Sequence, residues 1–388
     1  MKVPLKYSFR NILARRLTAA LTIFGVTLVT FVFAGVLMLS NGLRQIFITA
    51  GSPENVIALR ESSTSEIMSF INREQSDIIG TLPEIAVDPT GGKMVEGEVV
   101  VMINRSRRLD EKMANIMVRG IGPKSMTLHP RVRLNQGRMF DPGKNEIIAG
   151  IKAAELFQGC GLGETIKFGM ADWTVVGLFE AAGSSFESEL WGDVDQFKAA
   201  FNRPVYSSMI FKLADPATFE GLRDRLKADP RMTLELKREA KYYEDQSQAS
   251  RTFINYIGTT LSLIFSLGAI IGAMITMYGA VANRTTEIAT MRALGFRRRN
   301  ILAAFLVESI LIALMGGALG LVAASFLQFA SVPLLNFDTF SEVSFNFALS
   351  LEIIIEGLIF AVIMGIVGGF LPAVRASRIK ITEALRAE

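Results

Sequence analysis

The sequence predicts a membrane protein of mixed class: four transmembrane helices, with an α/β, two-lobed extracytoplasmic domain inserted between helices 1 and 2. Three observations predict it. Four apolar runs lie at 17–44, 251–282, 300–330 and 351–374, each at or beyond the roughly 20 residues a helix needs to cross a hydrocarbon core of about 30 Å. Residues 45–250, of ordinary soluble composition, separate the first run from the second. Charge is unevenly placed: 45–250 hold 25 Lys and Arg against 29 Asp and Glu, although the whole chain is +4.

That charge placement sets the topology. The segment 283–300 (NRTTEIATMRALGFRRRN) carries Arg284, Arg292, Arg297, Arg298 and Arg299 against Glu287 and lies between two long apolar runs. Positive residues beside spans stay on the cytoplasmic side. Both termini and 283–299 are therefore expected in the cytoplasm of a cytoplasmic (inner) membrane protein. The large domain and the 331–350 loop, which holds Asp338 and Glu342 but no Lys or Arg, are expected outside. The same placement accounts for the basic character of the chain through topology and membrane lipid, with no nucleic acid as partner. Cys160 is the single cysteine, so no intramolecular disulfide forms. His129 is the single histidine, which removes His-rich zinc centres and argues against Ser-His-Asp chemistry. It precedes Pro130 in a polar stretch and reads as an ordinary loop residue.

The elements follow in order. In 1–16, Leu5, Phe9, Ile12, Leu13 and Arg16 share one line and Lys2, Lys6 and Arg10 another, as in an amphipathic helix lying on the inner leaflet. The run at 17–44 is too long for the apolar region of a signal peptide and reads as a retained span. Period-two segments at 55–59 (NVIAL), 98–103 (EVVVMI), 207–213 (SSMIFKL) and 233–237 (TLELK) read as strands. Between the last two, 215–229 opens on Asp-Pro and spaces Phe219, Leu222 and Leu226 as a helix of β-α-β type. The stretch at about 126–204 is richer in glycine and turns, with 172–179 (DWTVVGLF) its clearest strand. It is expected as a lobe inserted into a split lobe made of about 45–125 and 205–250. Residues 159–165 (GCGLGET) lack the spacing of a phosphate loop, and their glycines read as turns.

Span 2, at 251–282, carries Gly258, Ser262, Ser266, Ala269, Gly272, Ala273 and Gly279, small residues that permit close helix packing. In 283–299, Ile288, Met291 and Gly295 recur at helical spacing beside Glu287 and Arg292, as in a short helix along the cytoplasmic face. Span 3, at 300–330, holds Glu308 near its cytoplasmic end, where a carboxylate is expected to pair with an arginine of the short helix. Span 4, at 351–374, carries Gly365, Gly368 and Gly369 and leads into a basic tail at 375–388. Charged residues are few in the spans, so mechanical transmission is expected across them, not passage of a substrate through them.

Arg284, Glu287-Ile288, Arg292-Ala293-Leu294-Gly295 and Glu308 together resemble the coupling-helix pattern of the MacB/FtsX-like permeases of ABC transporters, which include the LolC/LolE subunits. The tail from Leu371-Pro372-Ala373-Val374-Arg375-Ala376 to Glu383-Ala384-Leu385-Arg386 is similar to the closing motif of that family. Gly137-Arg138, Glu146-Ile147-Ile148-Ala149-Gly150 and Val175-Val176-Gly177 are similar to its domain stretches. The resemblance implies a permease subunit that binds no cofactor or metal and has no catalytic residue, with ATP and Mg used by a separate cytoplasmic ABC ATPase. It implies a dimer with a second copy or a paralogous permease, and leaves a periplasmic adaptor protein open. The ATPase-coupling residues it implies are Arg284, Glu287, Ile288, Met291, Arg292, Leu294 and Gly295, supported by Glu308. Its expected role is export or extraction of a periplasmic or membrane-embedded substrate. The alternative is an FtsX-like signalling subunit that controls a cell-wall hydrolase or sensor.

Overall fold

The computed structural model describes residues 16–335 and 341–379; all but the last residue of the interfacial helix expected at 1–16, and the tail beyond 379, fall outside the described residues. In chain order the elements are α1 (Arg16–Ala50), β1 (Asn55–Arg60), α2 (Arg73–Thr81), β2 (Val95–Ser106), β3 (Met113–Ile121), α3 (Ser125–Leu128), β4 (Arg133–Gly137) and β5 (Glu146–Gly150). There follow α4 (Ile151–Leu156), β6 (Thr165–Phe168), β7 (Ala171–Glu180), β8 (Glu189–Asp193), α5 (Val194–Ala200), β9 (Ser208–Lys212), α6 (Phe219–Ala228) and β10 (Leu234–Arg238). The chain closes with α7 (Glu239–Ala282), α8 (Thr285–Ala293), α9 (Arg298–Ser325), β11 (Ser331–Leu335), β12 (Glu342–Asn346) and α10 (Leu351–Ser377). Two compact units result. Among the described residues, one joins 16–41, 253–330 and 346–379; the other joins 42–252, 331–335 and 341–345.

In the first unit, α1, α7, α9 and α10 are each long and apolar enough to cross a membrane. Lipid tails offer helices no hydrophobic drive to associate, so close approach and interhelical hydrogen bonds hold them. Glycine supplies the approach: a methyl on Gly365 of α10 would stand 2.6 Å from Ala313 Cβ of α9. Ser309 Oγ donates to Gly365 O at 2.6 Å, and Thr27 Oγ1 of α1 donates to Gly316 O of α9 at 3.1 Å. The start of α10 is capped by Ser350, whose hydroxyl accepts from Ile353 N.

The second unit is built on a ten-stranded mixed sheet of order β10-β1-β9-β2-β3-β8-β5-β7-β4, with β6 beside β7. β9 and β10 both run antiparallel to β1, which lies between them, so β9-α6-β10 is the crossover that the sequence predicts. Its core collects Val56, Ala58, Ile79, Phe211, Leu222, Leu226 and Leu236. A second core gathers Val99, Val118, Ile147, Phe157, Trp173 and Phe197.

The lobes therefore differ from the expected 126–204 insertion. β2 runs from one core into the other, Val95 packing on the first and Val99 in the second, so the division falls inside β2 and the sheet is shared. The 331–350 loop is also more than a loop. It contains the β11–β12 hairpin, whose Ser344 N donates to Ser188 Oγ at 3.2 Å.

Candidate functional site

The segment between α7 and α9 folds as a nine-residue helix with a defined stop. Glu287 lies in the first turn of α8 and Arg292 in the last, each sign matching the helix dipole. Gly295 ends it with φ +93°. Phe296 N donates to Met291 O at 3.2 Å and Gly295 N to Arg292 O at 3.1 Å, the paired bonds of a glycine-terminated helix. Arg297 is extended and α9 begins at once. Gly295 thus serves the turn between two helices.

The expected coupling residues divide into two sets. Ile288 is fully buried among Met277, Val281, Ile301, Phe305 and Ala373, and Met291 packs against the same cluster. Arg292 Nη1 donates to Ser377 O at the end of α10, 2.9 Å. Arg284 Nη1 donates to Glu308 Oε2 at 3.3 Å, and its Nε lies 3.8 Å from Glu287 Oε2. Arg284, Ile288, Met291, Arg292 and Glu308 therefore anchor the helix to the bundle. Glu287, with 59 % of its side chain exposed, and Leu294, 71 % exposed, face away, together with Gly295 and Arg297, Arg298 and Arg299. The short helix thus has a buried back and an exposed carboxylate, and the turn after it exposes Leu294 and the arginine run that opens α9.

A second constellation lies in the sheet, and sequence reading did not single it out. Arg119 of β3 is fully buried. Its Nε donates to Glu189 Oε2 (2.8 Å), Nη1 to Glu66 Oε1 (2.9 Å) and Glu98 Oε2 (2.8 Å), and Nη2 to Glu66 Oε2 (3.0 Å) and Glu189 Oε1 (3.2 Å). Burial opposes the charge on Glu98, but His129 and Arg119 outweigh it and hold that carboxyl at about 2. Burial pushes Glu189 upward, against the pull of Arg119. His129 is buried beside this cluster, not in an exposed loop, with its ring on Phe186 and Trp191. Cys160 is buried too, and burial pushes its thiol up to about 12, which leaves it inert as a nucleophile.

Two family descriptions match the sequence: the MacB-like periplasmic core domain over residues 19–229 and the FtsX-like permease C-terminal region over 259–381. Among similar proteins, the macrolide export ATP-binding/permease protein MacB of Bdellovibrio bacteriovorus is 25 % identical over 99 % of this chain, which spans 61 % of that protein. The uncharacterized ABC transporter permease YknZ of Bacillus subtilis is 24 % identical, over 99 % of this chain and 98 % of its own length. The crystal structure of the extracellular domain of the YknZ transporter from Gram-positive bacteria aligns with a TM-score of 0.35 and 17 % identity, over 47 % of this chain and 99 % of that one.

Proposed function

Since the chain belongs to the MacB/FtsX-like family of ABC transporter permeases, we propose that it is the membrane subunit through which a separate cytoplasmic ATPase moves an outer domain. The observation that carries this reading is the division of α8 into an anchored back and an exposed front. A helix held by Ile288, Arg284–Glu308 and Arg292–Ser377 cannot shift by itself. Displacement of its front by ATPase closure must move α7 and α9, which join it through turns and no flexible linker. α7 runs unbroken from Glu239 to Ala282, a stiff element for carrying that motion. In this reading both termini and α8 are cytoplasmic and the large sheet domain is periplasmic. ATP and Mg act on the partner chain, and the permease works as a dimer with a second copy or a paralogue. The substrate is a periplasmic or membrane-embedded molecule moved by the outer domain.

The test is co-purification of the detergent-solubilised full chain with its candidate ATPase, with ATP turnover measured in the complex. Glu287→Gln and Leu294→Asp change the exposed front, and the glutamine amide keeps an oxygen toward Arg284 without adding a cation beside the Arg284–Glu308 pair. Loss of the complex, and of any effect on ATP turnover, is the expected result. Unchanged binding and turnover in the double variant would reduce α8 to a charge cluster that only fixes topology. Arg292→Glu is a poorer probe, since it also removes the bond to Ser377.

A further inference from the structure

The environment of His129 sets a buried carboxylate oxygen against each ring nitrogen. Nε2 lies 3.2 Å from Glu98 Oε1 on β2, and Nδ1 lies 3.4 Å from Glu239 Oε1, the first residue of α7. All three side chains are buried. The second oxygens of both carboxylates are already engaged: Glu98 Oε2 accepts from Arg119, and Glu239 Oε2 accepts from Ser52 N and Asn55 Nδ2. A neutral ring carries one N–H and one lone pair. With both carboxyls ionised, it can donate to one of the two facing oxygens and must turn a lone pair on the other. Only the doubly protonated ring sets positive charge against both, through the Nε2 hydrogen bond and the Nδ1 ion-pair contact.

The surroundings weigh toward the cation, with burial and Arg119 against it and the carboxylates for it. From β3 comes Arg119; from β8, Glu189 and Trp191; from α7, Glu239 and Tyr243; from the loop after β1, Glu66; from the turn before β8, Ser184, Phe186 and Glu187. Around Arg119 and His129 stand the carboxylates of Glu66, Glu98, Glu189 and Glu239, four potential anions against one permanent cation. Burial disfavours an imidazolium, but Glu239 and Glu98 outweigh it and raise the His129 pKa above its ordinary 6.5. A cavity of about 230 Å³ lined by His129, Ser184, Phe186 and the chain from Thr49 to Glu54 adjoins the ring and gives protons a way to it.

We propose that His129 is a proton-operated latch: doubly protonated, it ties the first turn of α7 (Glu239) to β2 (Glu98), and loss of one proton releases that turn from β2 and loosens it. The latch closes in acid and opens in alkali. A group whose folded pKa is raised contributes stability in full below its unfolded pKa and loses it as pH rises through the folded value. The inference stands apart from the ATPase reading, because every group in it belongs to the sheet domain and the start of α7.

His129 is the one histidine in the sequence, so a single labelled residue reports the device in the untagged full chain. Two readouts are taken in detergent from pH 5.5 to 9: the ¹⁵N shifts of the ring, and hydrogen exchange of backbone amides at 240–247, corrected for intrinsic rate. The expected result is a ring with both nitrogens protonated through 6.5. Protection at 240–247 should fall past the ring's midpoint, by about tenfold for each pH unit that the midpoint stands above 6.5. His129→Gln should abolish the pH response. Should that variant fail to fold, Glu239→Gln provides the second reading: a neutral ring then suffices, so the midpoint falls and protection becomes independent of pH. A ring that titrates at or below 6.5 overturns the latch. So does equal protection on either side of the midpoint, or a pH response that survives either substitution.

Discussion

Arg284, at the start of α8, donates through Nη1 to Glu308 Oε2 of α9 at 3.3 Å, and both side chains are buried. The pair fastens the short helix to the span that follows it in the chain. Glu308→Ala is expected to lower the melting temperature of the purified chain, because it strips a buried guanidinium of a carboxylate. Arg284→Ala with Glu308→Ala should lose less than the sum of the single losses. The coupling energy expected from the cycle is about 1–3 kcal/mol; a value within about 0.3–0.5 kcal/mol of zero would mean that the two residues act independently.

Arg119 uses all five of its N–H donors, or shares them, among Glu66, Glu98 and Glu189. Arg119→Ala leaves three buried carboxylates without their cation, and removing one partner of a buried ion pair costs on the order of 3–5 kcal/mol. That is a large part of the stability of an ordinary domain. The expected outcome, measured by circular dichroism melting, is a chain strongly destabilised at neutral pH and partly rescued near pH 5, where the stranded carboxylates take up protons. Arg119→Lys should fall between, since an ammonium keeps the charge but loses the planar fork.

The same residues explain which parts of the fold were legible in the sequence. The four spans are long apolar runs with few charges, and no soluble alternative buries so much apolar surface in one helix. β1, β7, β9 and β10 alternate or run apolar, so their pattern was plain. β3 (MANIMVRGI) and β8 (ELWGD) carry no strand signature, because Arg119 and Glu189 occupy inward positions where an apolar residue is the usual signal. Those charges neutralise one another across parallel neighbours, Met117 opposite Glu189 and Arg119 opposite Trp191, and pairing between separate segments leaves no mark on either alone. His129 reads as a loop residue for the same reason: its two carboxylates come from residues 98 and 239. At α8, helical spacing placed Ile288 and Met291 on one face. Whether that face meets the bundle or a partner is decided by α7, α9 and α10, and spacing carries no information on that.

Acid should act on Glu98 in the opposite sense to its effect on His129. Its carboxyl is held at about 2 instead of 4.5 in the fold, where burial is outweighed by His129 and Arg119. A depressed folded pKa contributes stability above the unfolded value and loses it as pH falls through the folded one. The acid limb of unfolding, between about pH 4.5 and 2, should therefore flatten in Glu98→Gln relative to wild type when melting temperature is followed against pH. An acid limb of the same slope in both proteins would assign it to other carboxylates.

Gly295 is constrained by backbone, not by space. Its φ is +93°, yet a methyl there would meet nothing within 4 Å. Gly295→Ala is expected to cost about 1–2 kcal/mol through the left-handed conformation alone and to fray the end of α8, where Leu294 is exposed. Hydrogen exchange at Leu294–Phe296 should quicken while the rest of the bundle keeps its protection. Unchanged exchange would show that the turn tolerates a side chain.

Glycines inside the spans should separate into two classes by what a methyl would meet. At Gly320 of α9 it would stand 2.7 Å from Thr27 O and 2.9 Å from Thr30 Cβ, and a backbone oxygen cannot move aside without shifting α1. At Gly268 and Gly272 of α7 it would meet nothing within 4 Å. Overpacking a fitted contact typically costs about 1–3 kcal/mol, whereas alanine in place of glycine within a helix is worth roughly 0.5–1 kcal/mol in its favour. Gly320→Ala is therefore expected to lower the melting temperature of the monodisperse chain in detergent, and Gly268→Ala and Gly272→Ala to hold or raise it. A Gly320→Ala chain as stable as wild type would mean that α1 and α9 approach less closely than the Thr27 Oγ1–Gly316 O bond requires. The small residues of α9 would then be a matter of composition, not of contact.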